Sequence, residues 1–93
     1  MGMIYKNADG TIMTLEDRIA WEAEHDKHWR NKGYEVVRRS DSPDQSHYDR
    51  FRWCRQQNWV NREHFWWRYS MTGELVYVFD SSEKAQQFDR NWA

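Results

Sequence analysis

The chain has one cysteine, one proline and four glycines in 93 residues. With a single thiol, Cys54, an internal disulfide framework is excluded and a reducing compartment fits best, so the expected localisation is cytoplasmic. The lone Pro43 and the four glycines exclude collagen-like and Pro/Gly-rich low-complexity architectures. Aliphatic side chains are nearly as scarce, because Leu, Ile and Val together number only ten. No apolar run approaches the ~18 residues that a membrane-spanning helix needs, and no signal-peptide pattern opens the sequence. Lysine is also sparse, at four residues, and the net charge is only -1, which leaves little long-range attraction for phosphate.

Aromatic side chains make up the deficit. Seven Trp, five Tyr and four Phe stand in a chain whose mean hydropathy is -1.20. Each buries about 150–250 Å² when enclosed, so sixteen of them supply a core that ten aliphatics cannot. The expectation is one ordered domain, residues 1–93, with an aromatic core. Charge is uneven along it. Residues 38–68 carry seven Arg and four acids, whereas the segments on either side are each net -2. Arginine favours bidentate contact with carboxylate or phosphate over diffuse attraction.

Turn and cap signals divide the chain. Asn7-Ala8-Asp9-Gly10 between Met3–Lys6 and Thr11–Met13 predicts a short β-hairpin. Thr14, with acids in the following turn, caps a helix from Leu15 to about Asn31, and Gly33 stops it. Leu15, Ile19 and Ala23 share one stripe of that helix, and Glu22 and Asp26 fall inside it. Either the helix is less buried towards its end, or those acids face arginines of the sheet, in which case each pairs with one from 38–55. Tyr34–Arg39 reads as a strand and 40–46 as a turn. His47–Arg55 alternates, with Phe51 and Trp53 on one side and Tyr48, Arg50, Arg52 and Cys54 on the other, which predicts another strand. His64–Ser70 and Leu75–Asp80 form a second hairpin, the latter strand apolar on both faces and therefore central. Ser81 or Ser82 caps a closing helix, Glu83 to Trp92. The predicted order is β-β-α-β-β-β-β-α. The fold class is α+β, a mainly antiparallel sheet of about 4–6 strands with two helices packed on one face.

Phe51, Trp53, Phe65, Trp67 and Tyr69 are assigned to the core. Trp66 and Arg68 lie on the opposite side and, with Tyr48, Arg50 and Arg52, would form an exposed aromatic–arginine patch. Trp, Tyr and Arg are the residues enriched at binding hot spots. These five are the candidate binding residues. A patch of this kind also stacks bases while arginine holds phosphates. Against that stand the near-neutral charge, the few lysines and the lack of an RNA-binding motif. His25 and His28 are spaced i, i+3 on a helix, but two ligands without an HExxH or cysteine partner favour a solvated face over a metal site. His47 and His64 beside Arg50 and Arg52 resemble the acid–base pair of a metal-free ribonuclease, but nothing in the sequence fixes their separation. Cys54 has no base fixed beside it and reads as an inert thiol. No catalytic residue, metal or cofactor is assigned. A sheet with one open face exposing Trp66 and Tyr48 predicts a homodimer or a complex with a partner.

Two stretches carry a resemblance. YKNADGTIMTLEDRIAWE is similar to the opening of small accessory proteins of tailed bacteriophages, in which a Tyr and an Asn/Asp-rich Gly turn precede a Thr-Leu-Glu-acid cap and a helix. VYVFDSSEKAQQFDRNW resembles the ending of such proteins, an apolar strand and then Glu-x-Ala-x-x-Phe-x-x-x-Trp. The two cover about a third of the chain. The resemblance implies a bacteriophage protein in the host cytoplasm that binds a host protein or nucleoprotein complex and inhibits or redirects it. A host defence factor is the kind of target implied, as for anti-restriction and anti-CRISPR proteins. No catalytic residue carries over. The alternative reading is a small RNA- or DNA-binding regulatory protein using the arginine–aromatic sheet face.

Overall fold

A computed structural model describes residues 4–92. Its elements are α1 (Leu15–Asn31), β1 (Glu35–Arg39), α2 (His47–Gln56), β2 (Phe65–Tyr69), β3 (Leu75–Phe79) and α3 (Ser82–Asn91). The three strands form one antiparallel sheet in the order β1-β3-β2. The class is α+β as expected, with three strands rather than 4–6.

Local chemistry sets most boundaries. Thr14 accepts from the Asp17 N–H while the Asp17 carboxylate accepts from the Thr14 N–H, a complete capping box at the start of α1. Gly33, at φ +86°, takes the left-handed turn after Lys32 that ends it. Ser81 caps α3 by accepting from the Lys84 N–H. Between β2 and β3 the Ser70 hydroxyl accepts from the Thr72 and Glu74 N–H groups and fixes the tight turn.

Two expected strand regions differ. Around Asn7–Gly10 the turn forms, with Asn7 N–H donating to Thr11 C=O at 2.8 Å, but pairing stops at a single bridge between Lys6 and Ile12. Met3, at the start of that expected strand, lies outside the described residues. The second difference is larger, because residues 47–56 are helix and not strand. Ser46 accepts from the Asp49 N–H and starts the helix. At 3.6 residues per turn His47, Arg50, Phe51 and Cys54 then fall on one inward stripe. Reading Arg50 as an outward position made the stretch look alternating.

Helices therefore cover both faces, not one. Val37, Phe65, Trp67, Leu75, Tyr77 and Phe79 project towards α2 and α3, where they meet Phe51, Trp53, Cys54, Ala85, Phe88 and Trp92. All five residues of β3 are buried, as expected of the central strand. Cys54 is fully enclosed, and burial pushes its thiol up to about 12. The opposite face presents Val76, Val78, Trp66, Arg38 and Arg68 to α1.

α1 meets the sheet through its acids. Glu22 and Asp26 are buried, while Leu15 and Ile19 remain 56% and 53% exposed. Arg38 donates to Asp26 through Nε and Nη2, both at 2.9 Å, and to Glu22 at 2.9 Å. Arg68 donates to both Glu22 oxygens at 2.7 and 3.0 Å, and the Met71 N–H adds a third donor. Of the two readings left open for these acids, the one that faces them towards the sheet arginines holds. Arg38 serves both, and Arg68 joins from outside 38–55. Burial pushes the Glu22 carboxyl up, but hydrogen bonds from Arg68 and Arg38 outweigh it and hold the group below its usual range.

Candidate interaction surface

The five predicted binding residues do not share a face. Tyr48 and Arg52 stand four residues apart on the outer side of α2, and Tyr48 is 67% exposed. Arg50 turns inward and is 1% exposed. It donates to Asp41 at 3.0 Å and to the Ser40 carbonyl at 2.8 Å, beside the Tyr77 ring. Trp66 is half-buried on the far face of the sheet, with the rings of Trp29 and Tyr34 each 5.3 Å away. Arg68 is held by Glu22 beneath Trp21. The single patch depended on 47–55 being a strand; helical geometry turns Arg50 away from Tyr48 and Arg52, and α1 covers Trp66 and Arg68.

What α2 does expose is a stripe of Tyr48, Arg52 and Arg55. With Phe51 and Gln56 they line a groove of about 450 Å³. Phe51 and Arg55 also line a second groove of about 510 Å³ with Asn58, Trp59, Val60 and Asn61. The two sharing residues make one trough along α2 and the loop after it. That loop is fixed in shape. Asn58 and Arg62 adopt left-handed backbone at φ 66° and 70°, which few non-glycine residues do. The Val60 N–H donates to His64 Nδ1 at 2.9 Å, and the Arg62 N–H donates to Phe65 C=O at 2.8 Å.

The arginines of 38–68 separate into two groups. Arg38, Arg39, Arg50 and Arg68 are tied to Glu22, Asp26, Glu74, Asp89 and Asp41. Arg52, Arg55 and Arg62 have no acidic partner among the described residues, and all three lie on α2 or the loop that follows it. Within 38–68 the arginines without an acidic partner therefore fall on α2 and its following loop, and Arg52 and Arg55 line the trough with Tyr48, Phe51 and Trp59. Arg55 and Val60 are not among the predicted binding residues, and Phe51, assigned to the core, packs there and also lines the trough. The signal that would have found Arg55 is Ser46-x-x-Asp49, a cap followed by a 3.6-residue stripe.

No family model, curated protein or solved structure matches the chain. Its function therefore has to be argued from this geometry and the side chains themselves.

Three of the four histidines are engaged within the fold: His64 through the Val60 N–H, and His25 and His47 through aromatic partners. His25 stacks on Trp21 with centroids 4.8 Å apart, and its Nε2 accepts from Trp29 Nε1 at 3.3 Å. His47 Nδ1 lies 2.9 Å from the Tyr77 hydroxyl, with Trp67 against its ring. Burial holds the imidazoles of His25 and His47 below their ordinary value, and burial pushes the Tyr77 hydroxyl up to about 12. Among the described residues, no group of three or more His, Cys, Asp or Glu side chains is placed to hold a metal, and no helix is long and apolar enough to cross a membrane.

Proposed function

We propose that the chain is a non-enzymatic phage accessory protein that binds a host protein and inhibits or redirects it, using the trough of Tyr48, Phe51, Arg52 and Arg55 as its contact surface. The observation that carries this reading is the division of the arginines. Four of the seven arginines of 38–68 serve the fold, and of the three without acidic partners among the described residues Arg52 and Arg55 line the trough with Tyr48 and Phe51, while Arg62 stands in the loop that follows. A rigid helix presenting Tyr and Arg beside an apolar floor has the composition of a binding hot spot. Unpaired guanidinium groups fit an acidic partner surface through bidentate contacts. The resemblance to phage accessory proteins supplies the class of partner, a host factor of the restriction or CRISPR kind.

A nucleic-acid reading on the sheet face has less support, because α1 packs over Trp66 and Arg68. The net charge of -1 weakens it further. Self-association is a separate proposal, which now rests on the exposed Ile4, Ile12, Leu15 and Ile19 rather than on Trp66. A monomer by light scattering at high protein concentration removes it.

The test is affinity purification from a bacterial lysate with and without nuclease, followed by titration of the identified partner. Tyr48→Ala or Arg52→Ala should weaken binding by about 2 kcal/mol or more. Salt should act mainly on the association rate. Loss of the partner after nuclease treatment, or an affinity that falls log-linearly and steeply with salt, assigns the trough to nucleic acid instead.

A further inference from the structure

We propose that the cavity between α1 and the sheet is a binding site for a small, neutral, single-ring aromatic molecule. The cavity holds about 160 Å³ and is bounded by His25 and Trp29 of α1, Trp66 and Arg68 of β2, and Val76 and Val78 of β3. Its sheet side is apolar, formed by Val76 and Val78. Trp29 and Trp66 belong to a ring cluster with Tyr34, with all three centroid separations between 5.3 and 5.4 Å.

Size and polarity together select the ligand. An apolar cavity of roughly 150 Å³ stays dry and takes up benzene. Nucleotides, sugars and most cofactors need roughly 300 Å³ or more. Two of the polar groups at the boundary are already engaged. Arg68 donates both Nη groups to Glu22, and His25 Nε2 accepts from Trp29. A polar ligand would set its own polar groups against a mainly apolar lining, which is costly. A neutral ring loses no hydrogen bond on entry and gains contact with tryptophan faces and valine methyls. The Glu22–Arg68 pair holds α1 against the sheet beside the cavity, so occupancy joins the helix to the sheet.

Benzene is the probe, read by thermal melting and by intermolecular nuclear Overhauser effects in the full chain. At several times its Kd it should raise Tm by about 5 °C. It should also give cross-peaks to the indole protons of Trp29 and Trp66. The double substitution Val76→Ile with Val78→Ile places two methyl groups in the cavity, and it should abolish the benzene shift without lowering the unliganded Tm. A benzene shift that persists in a folded double variant overturns the proposal, as do cross-peaks to Tyr48 or Phe51 in place of Trp29 and Trp66. If the double variant fails to fold, the wild-type cross-peaks decide the matter, and their absence at saturating benzene also overturns it.

Discussion

One face of the three-stranded sheet is closed by aromatic packing and the other by charge. Towards α2 and α3 lie Phe65, Tyr77, Phe79 and Phe88, all fully enclosed, with Trp53, Trp59, Trp67 and Trp92 half-buried around them. Towards α1 lie three valines and Trp66, and the join is made by Glu22 and Asp26 with Arg38 and Arg68 beside the Trp29–Trp66 contact. The aromatic face draws most of its stability from area removed from water, which charge screening does not weaken. The ionic face draws on charge-assisted hydrogen bonds, which depend on protonation and geometry. A chain with ten aliphatics can close a second face in this way, with the consequence that the aliphatics of α1 stay outside.

Substitutions should separate the two faces. The largest effect is expected from Phe88→Ala. It leaves a void beside Tyr77, Phe79 and Trp53 and should destabilise the fold by about 3–5 kcal/mol in denaturant melts, with no dependence on salt. Glu22→Leu comes next. It strands Arg68 and the Met71 N–H, while Arg38 keeps Asp26, and should cost about 2–4 kcal/mol. The two guanidinium side chains retain 23% and 28% exposure and can partly rehydrate, which keeps the loss below that of a fully enclosed pair. If Glu22→Leu melts like the wild type, the charged contact is dispensable and the contrast between the faces fails.

A smaller effect follows from pH. His25 lies on the ionic face and His47 on the aromatic face, and both are held below the ordinary value of 6.5 chiefly by burial. A depressed histidine is neutral in the fold and charged sooner in the unfolded chain. Its contribution is present above 6.5 and is lost as pH falls through that value towards the folded one. Stability measured from pH 7.5 to 5 should therefore decline, and His25→Gln and His47→Gln should each flatten the decline. Loss of the slope in only one variant would assign acid sensitivity to one face. Below that range Glu22, also depressed, adds its own loss as the pH falls through its folded value.

The smallest effect is expected from Ile19→Ala. Periodicity alone would place Ile19 in the core, where the truncation costs about 2–5 kcal/mol. At 53% exposure the loss should stay under about 1 kcal/mol. A core-sized loss in thermal or chemical melts would mean that α1 packs through its aliphatic stripe after all.

Elements marked by local chemistry were legible. The Thr14 capping box, the Gly33 stop, the Ser70–Glu74 turn and the fully apolar β3 each announce themselves within a few residues. α1 runs over the expected Leu15–Asn31. What could not be read depends on tertiary partners. Glu22 and Asp26 stand out inside the apolar stripe of α1, but only Arg38 and Arg68, arriving from the strands, decide between the two readings left open for them. Arg50 is a buried residue only because Asp41 and the Ser40 carbonyl lie within reach of it. The candidate site suffered most, since one misread period over 47–55 moved Arg50 to the wrong side and hid Arg55. Tyr48 and Arg52 kept their exposure because a four-residue spacing shares a side in a helix as well as in a strand.

Cys54 lies on the inward side of α2, on the same helix as the trough. As the only thiol in the chain, enclosed and with a raised pKa, it acts as a clock for that helix. An alkylating reagent can reach it only in the interval when α2 has lifted from the sheet, so the labelling rate counts those openings. A partner seated on the outer side of α2 would slow the clock without touching the sulfur, whereas one bound at α1 would leave it running.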